Sequence, residues 1–93
     1  MDERKKAHLK IEGRVQGVGF RYFVRELAMR HGVNGWVRNL YDGSVEAVLE
    51  GDSKDVSIAV AYCYKGPPGS LVTNVDVTWM EYTGEFTSFG IRF

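Results

Sequence analysis

The sequence predicts an α+β fold, a ferredoxin-like βαββαβ sandwich in which an antiparallel sheet is covered by two helices on one face. Three observations carry that prediction. The hydrophobic pattern changes period along the chain, from alternation to a helical stripe and back, in the order strand, helix, strand, strand, helix, strand, with a short terminal strand added. A turn signal, Asp42-Gly43, joins the second and third strands directly and so makes them antiparallel neighbours. The chain has 93 residues, 44% of them hydrophobic and 26% charged, which is enough for one core and a single domain over residues 1–93 but not for two. One layer of helices over one sheet is the economical way to bury that apolar surface.

The elements follow in order. Residues 8 to 13 alternate, with Leu9, Ile11 and Gly13 on one side and His8, Lys10 and Glu12 on the other, the pattern of a strand with one solvated face. Phe20, Phe23, Val24, Leu27, Ala28 and His31 then form a helical stripe, closed by Gly32 as a C-cap with Arg30 and His31 at the negative end. Gly35 to Tyr41 and Ser44 to Glu50 read as two strands around the Asp42-Gly43 turn, for which the expected geometry is type I′. Gly51-Asp52-Ser53 reads as a stop followed by a helix cap, with Asp55 in the first turn. Residues 56 to 64 fit two periods: Val56, Val60, Cys63 and Tyr64 suit a helix, whereas Val56, Ile58, Val60, Tyr62 and Tyr64 alternate as a strand. Helix is preferred because the cap is good and the sheet needs a second cover. Lys65 to Gly69, with its two prolines, ends the element under either reading. Val75, Val77 and Trp79 alternate in the next strand, and Phe89, Ile91 and Phe93 in the last, which ties the final residues to the sheet.

Composition removes several classes of function. One cysteine, Cys63, excludes an internal disulfide framework and any multi-cysteine metal site, and reads as a small buried hydrophobe. No stretch approaches the length of a membrane span, and the polar start at residues 1–6 does not lead into a signal-peptide core, so the expected address is cytoplasmic. The 12 basic and 12 acidic residues cancel overall, yet residues 1–31 hold 8 Lys and Arg against 4 Asp and Glu, and residues 32–93 hold 4 against 8. That distribution opposes a broad nucleic-acid surface and permits a local positive site for a small anion.

The residues with chemical potential lie where the first strand meets the first helix. Gly13-Arg14-Val15-Gln16-Gly17-Val18-Gly19 has 3 glycines in 7 residues, a density that points to unusual dihedrals or close approach of a ligand. Arg21 stands in the first turn of the helix, where a cation is unfavourable unless an anion is bound there too. A backbone nest ahead of the helix start, closed by a bidentate guanidinium, suits a phosphate; a plain turn with a solvated Arg21 is the competing reading. The dinucleotide and P-loop spacings are absent, neither His8 nor His31 stands at metal-ligand spacing, and there is no serine elbow or Cys-His pair. Asn39, late in the second strand, reads either as a turn residue or as a neutral side chain that holds a water beside a phosphate without adding negative charge.

Gly13 to Arg21 resembles the first signature of the acylphosphatase family, and Gly35-Trp36-Val37-Arg38-Asn39, then Gly43-x-Val45, then Gly51, resembles the second. The likeness continues through Gly66-Pro67-Pro68 and Glu81 to Phe86, nearly the whole chain, so residues 1–93 are similar to one acylphosphatase domain. The resemblance implies hydrolysis of the carboxyl-phosphate bond of small acyl phosphates to carboxylate and inorganic phosphate, with no metal and no cofactor. It implies a phosphate cradle made by Val15, Gln16, Gly17, Val18, Gly19 and Phe20 together with Arg21, and a water-positioning role for Asn39. It also implies a small-molecule substrate, with neither nucleic acid nor membrane as partner. One departure concerns residues 57–64, which carry no charged side chain where family members have several on the outer face; a monomer is expected, with self-association left open.

Two readings of other classes compete with this one. A noncatalytic domain that senses phosphate or an acyl phosphate would use the same cradle. RNA-recognition domains share the βαββαβ order, but their glycine-aromatic motif belongs on strand three, and residues 44–50 contain no aromatic residue.

Overall fold

The computed structural model describes residues 3–93. The first strand, β1 (Arg4–Arg14), begins well before the alternation that marks it in sequence. The charged residues ahead of His8 stay in the sheet because they find partners: Lys5 lies 3.9 Å from the Trp79 ring centroid, and Lys6 donates to Thr83 Oγ1 at 3.0 Å and pairs with Glu85. Beyond them Ala7, Leu9 and Ile11 are fully buried, the inward half of the alternation.

The helical stripe forms α1 (Phe20–His31), buried through Phe20, Val24, Leu27 and Ala28 and ended by Gly32 in the left-handed conformation. Phe23 is only partly buried and meets Phe20 edge-on at 5.8 Å, while His31 stays half-exposed at the helix end, 3.8 Å from Asp55. Next come β2 (Asn34–Asn39) and β3 (Val45–Asp52), an antiparallel pair in which Asn39 faces Val45. The turn between them is not type I′. The Gly43 N–H donates to Leu40 O at 3.2 Å and Leu40 N–H to Ser44 O at 2.9 Å, and Gly43 (φ 93°) is its one residue of positive φ. This is a three-residue loop with a glycine bulge. Asp42 keeps negative φ, and its carboxylate accepts from the backbone N–H of Ser44 at 3.0 Å and from the Ser44 hydroxyl.

Residues 53 to 65 are α2 (Ser53–Lys65), which settles the competing periods in favour of helix. Val56, Ala59, Val60 and Cys63 face the sheet, and Asp52 caps the start. The chain then forms β4 (Leu71–Met80) and β5 (Phe89–Arg92). Phe93 lies beyond β5, contrary to its place in the terminal alternation. Its pairing ends because the partner strand ends: Arg92 faces Arg38, and the chain after Asn39 turns away into the hairpin.

The five strands run in the order β4-β1-β3-β2-β5. The four-stranded βαββαβ core is antiparallel as expected, and the added β5 lies parallel to β2. Both helices pack on one face, over Ala7, Leu9, Ile11, Val37, Val45, Ala47 and Leu49. The other face pairs Lys10 with Glu46 and Lys6 with Glu50 across β1 and β3. Glu50, 1% exposed, accepts from the backbone N–H of Thr83 (3.4 Å), Gly84 (3.3 Å) and Phe86 (3.2 Å) and from the Thr83 hydroxyl (3.2 Å), fastening the connection that delivers β5.

The same topology places the site. Because β3 is antiparallel to both β1 and β2, those two strands run parallel, and β5 runs parallel to β2. The chain therefore leaves β1 toward α1, ends β2 at Asn39 and ends β5 before Phe93 at one end of the sheet.

Candidate active site

The loop from Val15 to Gly19 reverses the chain between β1 and α1 by sending its apolar side chains inward. Val15 and Phe20 are 1% exposed and Val18 packs against the core, so at these three positions the backbone is what can meet a ligand. Gly17 (φ 74°) and Gly19 (φ 79°) lie in the left-handed region, and a Cβ at either would meet nothing within 4 Å. The dihedral, and not crowding, is what calls for glycine at both. Left-handed residues alternating with ordinary ones turn successive N–H groups toward one side, the geometry of an anion nest.

Gly19 is the residue before α1. It has no side chain to cap the helix, and the first turn of α1 carries no acidic residue. The N–H groups at that start and the positive end of the helix dipole are left to solvent or to an anion. Arg21 adds a full positive charge in the same turn, its guanidinium carbon 4.9 Å from the ring centroid of Phe93.

Gln16 links this loop to the hairpin. Its side-chain amide donates to Leu40 O at 2.7 Å and to Ser44 O at 2.9 Å, so the loop and the end of β2 are held to each other. A cleft of about 560 Å³ lies alongside, lined by Gln16, Arg38, Asn39, Leu40, Tyr41 and Phe93. Of the residues singled out in the sequence, Gln16 and Asn39 line this cleft, and Arg21 meets it through Phe93. The backbone of Gly17 to Phe20 is adjacent in the chain but does not line the cleft itself. Sequence reasoning missed Arg38 and Phe93 as lining residues and missed the side-chain role of Gln16. The alternation that put Phe93 inside a strand concealed it, and nothing local to Gln16 announces a bond to residues 24 and 28 positions away.

The charges around the hairpin are internally matched. Hydrogen bonds from the Ser44 hydroxyl and backbone, and then from Lys10, hold the Asp42 carboxyl well below its usual range. Burial opposes ionisation of Glu46, but hydrogen bonds from His8 and Arg38 outweigh it and keep that carboxyl low as well. Cys63 lies apart under α2, fully buried, and burial pushes its thiol up to about 12. Among the described residues no group of three or more His, Cys, Asp or Glu is placed to hold a metal ion, and no helix is long and apolar enough to cross a membrane.

A βαββαβ sandwich with an uncapped, left-handed glycine before its first helix, tied through Gln16 to the end of β2, defines the class of small ferredoxin-like domains. Comparison with known proteins is specific within that class. The model of the acylphosphatase family matches residues 7–91. The chain is 50% identical over 90 residues to the acylphosphatase of Pelotomaculum thermopropionicum, covering 97% of this chain and 98% of that one. It is 52% identical over 93 residues to that of Syntrophobacter fumaroxidans, covering 100% and 95%. The crystal structure of acylphosphatase from Bacillus subtilis superimposes with a TM-score of 0.92 at 37% identity, covering 96% of this chain and 99% of that one. The chain belongs to the acylphosphatase family.

Proposed function

We propose that the backbone of Val15, Gln16, Gly17, Val18, Gly19 and Phe20, together with Arg21, holds the phosphoryl group of an acyl phosphate, and that Asn39 aims the attacking water. The reaction is that of the family, hydrolysis of the carboxyl-phosphate bond of a small acyl phosphate to carboxylate and inorganic phosphate. The observation that carries the reading is the helix start at Gly19, which is open, left-handed and followed by a guanidinium, tied by Gln16 to the strand that ends in Asn39.

The chemistry asks for little more. The leaving oxygen becomes a carboxylate of low pKa, so a strong general acid is not needed to expel it. What remains is to neutralise the phosphoryl oxygens and to set a water in line with the breaking bond, which is positioning plus electrostatics. Loop N–H groups and Arg21 supply the first. Asn39, neutral and able both to donate and to accept, supplies the second without repelling the phosphate. Asn is a poor base, so the water's proton passes to a phosphoryl oxygen of the substrate. The same reading has the protein act in the cytoplasm as a single domain and a monomer, on small molecules and not on nucleic acid or membrane.

The test is continuous hydrolysis of benzoyl phosphate at neutral pH with EDTA present, for the protein and its Arg21→Ala and Asn39→Ala forms, with inhibition by inorganic phosphate measured in parallel. Rapid turnover lost in both variants, with phosphate inhibition lost chiefly in Arg21→Ala, is the expected result. Equal, large losses of phosphate affinity in both would overturn the division of roles. A folded protein that binds phosphate and turns nothing over would be a sensing domain instead.

A further inference from the structure

The cleft beside Asn39 exceeds what a phosphoryl group needs and falls in the range of small-ligand sites, at about 560 Å³. Leu40 and the exposed rings of Tyr41 and Phe93 give it an open apolar rim, and Arg38 gives it a charge. Arg38 and Asn39 are consecutive on β2 and so project to opposite faces of the sheet, Arg38 to the face away from the helices. Both nevertheless line the one cleft, so a chain that leaves a carbonyl near Asn39 shares it with the Arg38 side chain.

Arg38 spends only part of its guanidinium on its neighbours. Its Nε donates to Glu46 Oε1 at 2.6 Å, and its guanidinium carbon lies 5.3 Å from the Trp36 ring centroid. Among the described residues neither of its Nη groups has a hydrogen-bond partner. Arg92, its register neighbour across the parallel β2–β5 pair, lies 4.5 Å from the same ring. Glu46, the carboxylate bonded to Arg38, is shared with His8 at 2.7 Å, and Glu85 lies within electrostatic reach of Arg92. A planar fork with two free Nη groups is shaped for a carboxylate or phosphate.

We propose that this cleft is the acyl-group subsite, and that Arg38, backed by Arg92, selects acyl phosphates whose acyl group carries a second negative charge at its far end. The inference rests on the reading that the phosphoryl group sits at Val15 to Arg21. The apolar rim holds the carbon chain and Trp36 packs beside the guanidinium, while Glu46 fixes the fork through Nε and leaves its Nη groups to the substrate.

The experiment compares kcat and KM for acetyl phosphate and succinyl phosphate in the unmodified protein and in the Arg38→Gln, Arg38→Lys and Arg92→Gln forms, each checked for folding by circular dichroism. The unmodified protein should prefer succinyl phosphate. In Arg38→Gln the ratio of kcat/KM for succinyl over acetyl phosphate should fall about tenfold, through KM and not kcat, the size expected for one charge-assisted contact. Arg38→Lys should recover part of the ratio, and Arg92→Gln should lower it by a smaller factor. Hydrolysis of both substrates with no preference, or a ratio unchanged in Arg38→Gln, would leave the activity standing and overturn the subsite. Hydrolysis of neither substrate by the folded, unmodified protein would overturn the proposed function and this inference with it.

Discussion

Helix α2 begins at Asp52 in extended backbone (φ −54°, ψ 131°), whose carboxylate accepts from the N–H groups of Lys54 and Asp55 at 3.0 and 3.3 Å, and it carries Asp55 in its first turn. Helix α1 begins at Gly19 in the left-handed region (φ 79°, ψ 21°), with no cap, no acidic residue in the first turn and a guanidinium at Arg21. The start of α2 has a capping carboxylate and an acidic residue in its first turn, beside Lys54, and the start of α1 has neither. The two helices pack side by side on the same sheet, so the difference is not one of setting. An element that needs only to stand satisfies its own donors, and the proposed phosphate cradle explains why α1 leaves its donors free at a loss in stability.

The comparison breaks most visibly at Arg21. Arg21→Ala should lower kcat/KM for benzoyl phosphate about 1,000-fold or more, in the range of lost phosphoryl-contacting arginines. Without phosphate the same variant should be no less stable than the parent, since it relieves a charge at the wrong end of a dipole; a clear drop in the urea midpoint would contradict that account. Asn39→Ala comes next, with a loss of about 100-fold in kcat and little change in phosphate inhibition, as for removal of one oriented polar group near the reacting atoms. Gly19→Ala forces a side chain into the left-handed region and should cost about 1 kcal/mol in stability while weakening phosphate inhibition. Asp52→Ala sharpens the contrast from the other helix. It should cost about 1 kcal/mol in urea unfolding with kcat retained, because it strips a cap that serves structure alone.

The smallest expected effect lies outside both helix starts and concerns acid. Asp42, Glu46 and Glu85 are held below their ordinary values of 3.8, 4.5 and 4.5 by hydrogen bonds from Ser44 and Lys10, from His8 and Arg38, and from Lys6 and Thr83. A carboxyl depressed in the folded state takes up protons on unfolding, so its contribution is complete above its ordinary value and is lost as the pH falls through the folded one. Stability should therefore begin to fall below about pH 4.5, modestly because Asp42 and Glu85 are exposed. Urea titrations at pH 3 and pH 6 test this, and the acid loss should be the same in Arg21→Ala.

Much of this architecture was legible because local and long-range demands agree. The stripe from Phe20 to Ala28 and the inward half of β1 are buried as their periods require, and the Asp52 cap decided for helix in residues whose β-branched and aromatic content leaned toward strand. The two motifs that carry the family resemblance also pointed to Arg21, Asn39 and the glycine loop. What stayed hidden depends on partners far along the chain. The charge run Arg4-Lys5-Lys6 looks like a solvated start, yet Lys6 is 6% exposed because Thr83 and Glu85 arrive from the other end of the chain. The turn at Asp42-Gly43 departs from type I′ as the Asp42 carboxylate takes up Ser44, a choice a dipeptide signal does not contain. Phe93 and Arg38 became visible only once β5 was set parallel to β2.

Cys63 offers a clock. A thiol fully buried and raised to about 12 has almost no thiolate in the native state, so an alkylating reagent can reach and react with it only after α2 has opened from the sheet. The rate at which that one sulfur is labelled therefore counts openings of the core, with no engineered probe. Ligand that binds only the closed form should slow the count in proportion to its occupancy, so the labelling rate with and without inorganic phosphate tests the proposed cradle at α1 from a sulfur on the other helix.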